Sequence, residues 1–408
     1  MNPSDLRILY VAPNLPNPAT SGGAQRTGLL LQALSELGHV DVVFLPARLP
    51  DDLSITEIKG CFNVLAIEYT NVIREHAMPP KYGRLLGPGA TSFYVAGRHR
   101  WQPFHELVRI IGDIQRYDFV VSRYLSSACI LDLFRHAKLI IDVDDYDPDR
   151  LRQRLRASGW LKRLTLRRCL HFSLQAHHSF LPRAAHCWVS NPADRRHDGL
   201  SDATLLPNIP YLPAGFPEPS YASSAPPVLL FVGTLSYSAN SDGLDAFLRQ
   251  AWLAILHSRP SARLRVVGQG MSEKQRTQWG SLRGVEPIGF VENLAEMYSS
   301  CRACIAPMLA GAGTNIKVLE AAAYNRACVV TPVSHRGFED SLPADVACLR
   351  AESVADMAQH CLLLLGDPNL ATRIGANARE VVRQHYTQSR FTAAVRAGCD
   401  RVLGSGQG

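Results

Sequence analysis

Short unbroken apolar runs alternate along this chain with longer stretches whose apolar residues recur every three or four positions. The runs predict strands at residues 7–12, 41–45, 62–67, 118–122, 139–143 and 187–189. After a Pro-, Ser- and Ala-rich stretch at 213–227 the same rhythm restarts, with strands at 228–232, 264–267, 287–290, 303–306, 327–330 and 346–349. Most intervening stretches read as helices, among them 24–37, closed by Gly38. Strands that are apolar throughout and alternate with helices belong to parallel sheets covered on both faces. The expectation is therefore an α/β chain of two doubly wound, Rossmann-like domains. Its divisions are an N-terminal domain at 1–212, a linker at 213–227, a second domain at 228–385 and a C-terminal helix and tail at 386–408. The stretch 367–403 reads as helical, long enough to pack across both domains. Ligands bind beyond the carboxyl ends of such strands, so two domains of this kind would face one another across a central cleft.

The most informative segment is Gly311-Ala-Gly-Thr-Asn-Ile-Lys-Val-Leu-Glu320, which reads as a glycine loop opening a helix between two strands. Gly311 and Gly313 allow close backbone approach, Thr314 is placed to cap the helix, and the helix's positive end suits an anion. Thr314, Lys317 and Glu320 lie three apart and share one helical face, while Ile316, Leu319 and Ala323 share an apolar one. The pair Lys317 and Glu320 suits a nucleoside diphosphate, with the amine on phosphate oxygens and the carboxylate accepting from ribose hydroxyls. The same spacing also fits a solvated Lys–Glu pair with no function.

With 408 residues, 46% hydrophobic and 19% charged, the composition is that of a globular chain of two or three domains. A net charge of +7 suits an anionic partner without choosing one. Ten cysteines without a framework, and no export signal at the start, point to a reducing cytoplasm. Cys301-Arg-Ala-Cys304 has zinc or redox spacing but lacks companion ligands, and reads as a pair of structural thiols.

At this point the chain resembles the retaining GT-B glycosyltransferases, the glycosyl transferases group 1, in the branch with a glycine-rich G-x-G-T donor loop. The resemblance rests on Gly22-Gly23, on Leu205-Leu-Pro-Asn-Ile-Pro210 and on Phe231-Val-Gly-Thr-Leu-Ser-Tyr-Ser-Ala-Asn240. It rests also on Val266-Val-Gly-Gln-Gly270, Ile288-Gly-Phe-Val-Glu-Asn293 and the segment 311–323 followed by Ala327-Cys-Val-Val-Thr331. It implies transfer of a sugar, with retention, from a nucleotide diphosphate sugar to a glycan or lipid-linked acceptor in envelope or exopolysaccharide assembly. The nucleotide sugar is a co-substrate; no cofactor and no metal are implied. By the same resemblance Lys317 contacts phosphate, Glu320 the ribose, and Gly22 and Gly23 approach the donor phosphates.

Three positions depart from the family pattern. Ala312 stands where the first glutamate of the donor motif belongs, Thr234 and residues 236–240 replace an Arg and a Lys, and Arg123-Tyr124 stands where many members carry a histidine. Backbone N–H groups around Gly311, Gly313, Thr314 and Asn315, with Thr234 and Asn240, are then the expected donor contacts. Arg123 is a further candidate for the diphosphate. Because a leaving phosphate can itself take the acceptor's proton, no catalytic base is assigned. An epimerase or phosphorylase of the same architecture, or a non-catalytic nucleotide-sugar binding subunit, remains an alternative.

Two further clusters carry readings. Asp142-Val-Asp-Asp-Tyr-Asp147 suits magnesium, a helix cap, or an acceptor sugar oriented by Asp145. From 150 to 168 eight basic residues interleave with leucines and Trp160, a pattern shared by solvated helices and by peripheral contacts at the inner face of a cytoplasmic membrane. No nucleic-acid recognition module accompanies this charge, and none is expected to bind.

Overall fold

The computed structural model describes residues 6–16, 21–46, 62–67, 105–157, 159–212, 215–218, 225–311 and 313–404, without the side chains of residues 105, 157, 161 and 162. Ala312 and parts of the expected linker, 213–214 and 219–224, lie outside them. The described residues fall into two compact units: those within 1–17, 23–207 and 389–408 form one, and those within 18–22 and 208–388 the other.

The first unit is built on β1 (Leu6–Ala12), β2 (Gly38–Phe44), β3 (Phe62–Ile67), β4 (Phe119–Arg123), β5 (Leu139–Val143), β6 (His186–Val189) and β7 (Thr204–Leu205). These strands form one parallel sheet in the order β3-β2-β1-β4-β5-β6-β7. Its helices are α1 (Gly22–Ser35), α2 (His105–Ile111), α3 (Leu125–Ile130), α4 (Asp147–Ala157) and α5 (Trp160–Phe180). The inner strands β4 and β5 are buried at every residue, which is why they read in the sequence as runs without alternation. A core of Leu9, Val11, Val120, Ile141 and Val189 packs against Leu125, Leu133 and Leu181.

The second unit repeats the plan with β8 (Val228–Val232), β9 (Arg263–Val267), β10 (Val285–Gly289), β11 (Ala303–Ala306), β12 (Cys328–Val330) and β13 (Leu349–Arg350), all parallel, in the order β10-β9-β8-β11-β12-β13. Pro287 is tolerated in β10 because that strand is the sheet edge. The helices are α6 (Ser238–Phe247), continued by a π turn into α7 (Leu253–Ser258), then α8 (Glu273–Gly280), α9 (Leu294–Ser299), α10 (Ile316–Ala323) and α11 (Pro332–His335). They are followed by α12 (Met357–Gly366) and α13 (Pro368–His385). Phe231, Phe247, Trp252, Val266 and Ile305 are among the residues of its core.

Two expectations change. The helical pattern at 367–403 is two helices, α13 and α14 (Gln388–Gly404), divided at Tyr386 and Thr387; residues 389–408 cluster with the first unit. The expected strand at 346–349 is a turn through exposed Val346, entered by Asp345 in the left-handed region at φ 63°, and only Leu349–Arg350 pairs with β12.

Candidate functional site

In each sheet the strand order reverses once, between β1 and β4 in the first unit and between β8 and β11 in the second. The carboxyl ends flanking such a reversal are where open parallel sheets bind ligands, because the adjoining loops leave in opposite directions.

At the second unit's reversal, Gly233 ends β8 against β9, and Gly268 ends β9. A Cβ on Gly268 would lie 1.8 Å from the Gly233 carbonyl oxygen, and the residue's φ of +146° also favours glycine. This tight closure leads the chain into Thr234, whose carbonyl accepts a 2.8 Å hydrogen bond from Asn240 Nδ2. The other face of that amide, Oδ1, accepts from Lys317 Nζ at 2.6 Å. Asn240, in the first turn of α6, thus connects the loop after β8 to α10, the helix after β11.

Lys317 is only 9% exposed and Glu320 likewise, so the solvated-pair reading of this helix does not hold. Besides Asn240, Nζ has the Met308 thioether at 3.2 Å and lies 5.1 Å from the Phe231 ring centroid. These are neutral partners, and among the described residues no carboxylate forms an ion pair with the amine. Burial pulls the amine down to about 8, opposed by its neighbours Cys328 and Glu320. Glu320 accepts from Tyr298 Oη at 3.5 Å, beneath a stacked pair of Tyr298 and Tyr324 rings.

Thr314 is not the cap of α10. The N-cap is Asn315, whose Nδ2 reaches the Val333 carbonyl at 3.3 Å, and Thr314 Oγ1 accepts from Asn208 Nδ2 at 3.0 Å. The cap position shifts by one because both side chains tie the loop to neighbouring segments rather than to the helix's own N–H groups. Gly311 faces open space, with nothing within 4 Å of a Cβ placed there, and Gly313 is partly exposed beyond Ala312.

The first unit's reversal is built differently. Arg26 from α1 makes a bidentate contact with Asp142 at 2.8 and 2.6 Å and donates to the Leu206 carbonyl. Arg123 at the end of β4 donates to Asp142, Asp144, Thr27 Oγ1, the Gly23 carbonyl and Tyr124 Oη. That engages all five guanidinium donors on a side chain that is fully buried, so Arg123, expected at a phosphate, is instead held inside its own unit. Gly22 and Gly23 open α1, and the Gly23 carbonyl faces this network. Arg26 is a position that sequence reasoning missed; its one trace is a cation in the inward i, i+3, i+4 series with Leu29 and Leu30.

The acidic cluster is largely engaged by cations of the chain itself. Asp142 and Asp144 are matched by guanidinium groups and Asp147 by Arg150. Asp149, Asp194 and His197 place one ligand atom each within 4.8 Å of the others, but Asp149 already accepts from Arg152 and Arg196. Asp145, partly buried, is raised above the usual carboxylate range by burial and by neighbouring Asp144. His177 is a buried packing residue against Ser173 and Tyr146, and His178 is exposed. Cys301 and Cys304 are buried thiols, 4.0 Å apart between sulfurs.

Residues 226–367 match the family model described as glycosyl transferases group 1. The match lies within the second unit. The fold of the whole chain is GT-B. Sucrose-phosphate synthase from Thermosynechococcus elongatus superposes with a TM-score of 0.71 at 16% identity, covering 98% of this chain and 100% of that one. Anabaena HepE, solved in complex with UDP-glucose, gives 0.63 at 13% identity over 96% and 98%. The α,α-trehalose 6-phosphate synthase of Burkholderia multivorans gives 0.60 at 11% over 98% of each. Comparison with curated proteins gives no match. Among the described residues no helix is long and apolar enough to cross a membrane. Within the second unit, Thr234, Asn240, Lys317 and Glu320 all attach to loops or first turns at the strand reversal or to the helix it opens.

Proposed function

We propose that the chain transfers a sugar, with retention, from a nucleoside diphosphate sugar to a glycan or lipid-linked acceptor. The observation that carries this reading is Lys317: a buried amine held only by neutral groups, at the strand reversal of a glycosyltransferase domain. Desolvating a cation without an anion is costly, and a diphosphate at the carboxyl ends of β8 and β11 would supply the missing charge. The Gly313–Asn315 backbone N–H groups complete an anion site without a metal, and Glu320 is suited to ribose hydroxyls. HepE, of the same fold, is described in complex with UDP and with UDP-glucose, which favours a uridine donor.

As the glycosidic bond to the diphosphate breaks, negative charge grows on the departing oxygen. A fixed ammonium beside it stabilises that charge more than it stabilises the bound donor. In retaining transfer the same phosphate oxygen can take the acceptor's proton. Asp145, two residues beyond β5, is our candidate for orienting the acceptor hydroxyl. The assignment to envelope or exopolysaccharide assembly rests on the family resemblance.

A thermal-shift panel of nucleoside diphosphates and their sugars tests the donor half, since a ligand of the folded state raises the melting temperature by mass action. One base should stand out in the wild-type chain and lose its effect in Lys317→Ala. Turnover of that variant should fall by about 10²- to 10³-fold, the range for losing one charge-stabilising donor. A folded Lys317→Ala protein with wild-type turnover would refute the assignment.

A further inference from the structure

We propose that the hairpin of α4 and α5 docks the chain on an anionic lipid bilayer, independently of the donor reading. α5 contains no Asp or Glu in 21 residues. Its inward side packs Leu166 and Cys169 on Leu151 of α4, with Leu155 and Leu170 beside them, so the hairpin has its own small core. Its outward side begins with Trp160, 73% exposed, and Leu164, 60% exposed, one turn apart on the same face. Arg163, Arg167 and Arg168 are exposed on the following turns, and Arg154 and Arg156 are exposed near the end of α4.

The charge is unevenly matched along the hairpin. Arg150 and Arg152, at the far end of α4, pair with Asp147 and Asp149. Arg154, Arg156, Arg167 and Arg168 form no ion pair among the described residues, so the excess positive charge collects around the apolar tip. Arginines ringing an exposed Trp and Leu fit the headgroup region of a bilayer, where the indole lies at the interface, the aliphatic side chain enters the acyl boundary and the cations meet anionic lipid. A nucleic acid would match the charge and stack on Trp160, but it offers Leu164 no apolar medium.

Sedimentation of the full chain with vesicles of phosphatidylcholine, alone or mixed with phosphatidylglycerol, tests this. The wild-type chain should bind the mixed vesicles and be released by salt. Trp160→Ser with Leu164→Ser should weaken that binding by about 10-fold or more. Arg167→Gln with Arg168→Gln should weaken it by roughly 30-fold. Both double variants keep the donor-induced melting shift, which separates this proposal from the donor site. Equal binding to both vesicle types, undiminished binding of the Trp160/Leu164 variant, or binding of single-stranded nucleic acid without vesicle binding would each overturn it.

Discussion

The two strand reversals occupy equivalent places in two sheets of the same plan, yet they are furnished in opposite ways. Between β1 and β4 the sequence buries two arginines with two aspartates, and every Arg123 donor is engaged. Between β8 and β11 it buries a lysine whose partners are an amide oxygen, a thioether and an aromatic ring. A matched quartet offsets its own desolvation and asks for nothing further, whereas an unmatched amine is a standing cost that an anion would relieve. Burial of charge alone therefore says little about function; the balance of that charge says more.

Unbalancing the first site should have the greatest consequence. Asp142→Ala leaves Arg26 and Arg123 buried together, and should destabilise the chain by about 3–5 kcal/mol in urea unfolding. A loss below about 1 kcal/mol would mean that the quartet behaves like a surface pair.

Changing pH probes the second site without mutation. Lys317 titrates at about 8 in the fold and at 10.5 when exposed, so between these values the unfolded chain holds a proton that the folded one lacks. Stability from this group is therefore lowest below pH 8 and rises as pH approaches 10.5. Diphosphate affinity should move the other way, flat below pH 8 and falling about tenfold per unit above it until the bound-state pKa is reached. Calorimetry of the preferred nucleoside diphosphate in buffers of different ionisation enthalpy would register the matching proton uptake. Affinity unchanged up to pH 10, in a chain that stays folded, would remove the amine from the binding site.

The smallest expected effect concerns what aims the amine. Asn240→Ala removes the amide oxygen that accepts from Nζ and the amide N–H that donates to the Thr234 carbonyl, and should weaken diphosphate binding by roughly 5- to 10-fold, equivalent to about 1 kcal/mol. A variant that loses all binding would show that Asn240 touches the ligand itself.

Much of the fold was legible because buried parallel strands are written as unbroken apolar runs; β5, β8 and β11 begin and end where the pattern places them. Lys317 was legible as a cation opening a helix after a glycine loop. Three features were not. The start of β13 depended on Asp345 adopting a left-handed conformation, which side-chain pattern does not reveal. The role of Thr314 depended on Asn208, which is 106 residues away. Arg123 looked available because its partners come from α1, β5 and the turn after β5, and no local window contains them.

A lysine kept in such surroundings also bears on how this chain could change under selection. Screening variants for heat resistance alone would favour apolar replacements at position 317, since a methionine beside Phe231 and Met308 would need no counter-charge. Only a screen that rewards turnover would retain the ammonium group. Lineages that drifted out of service as catalysts would therefore be expected to lose this side chain early while keeping the fold.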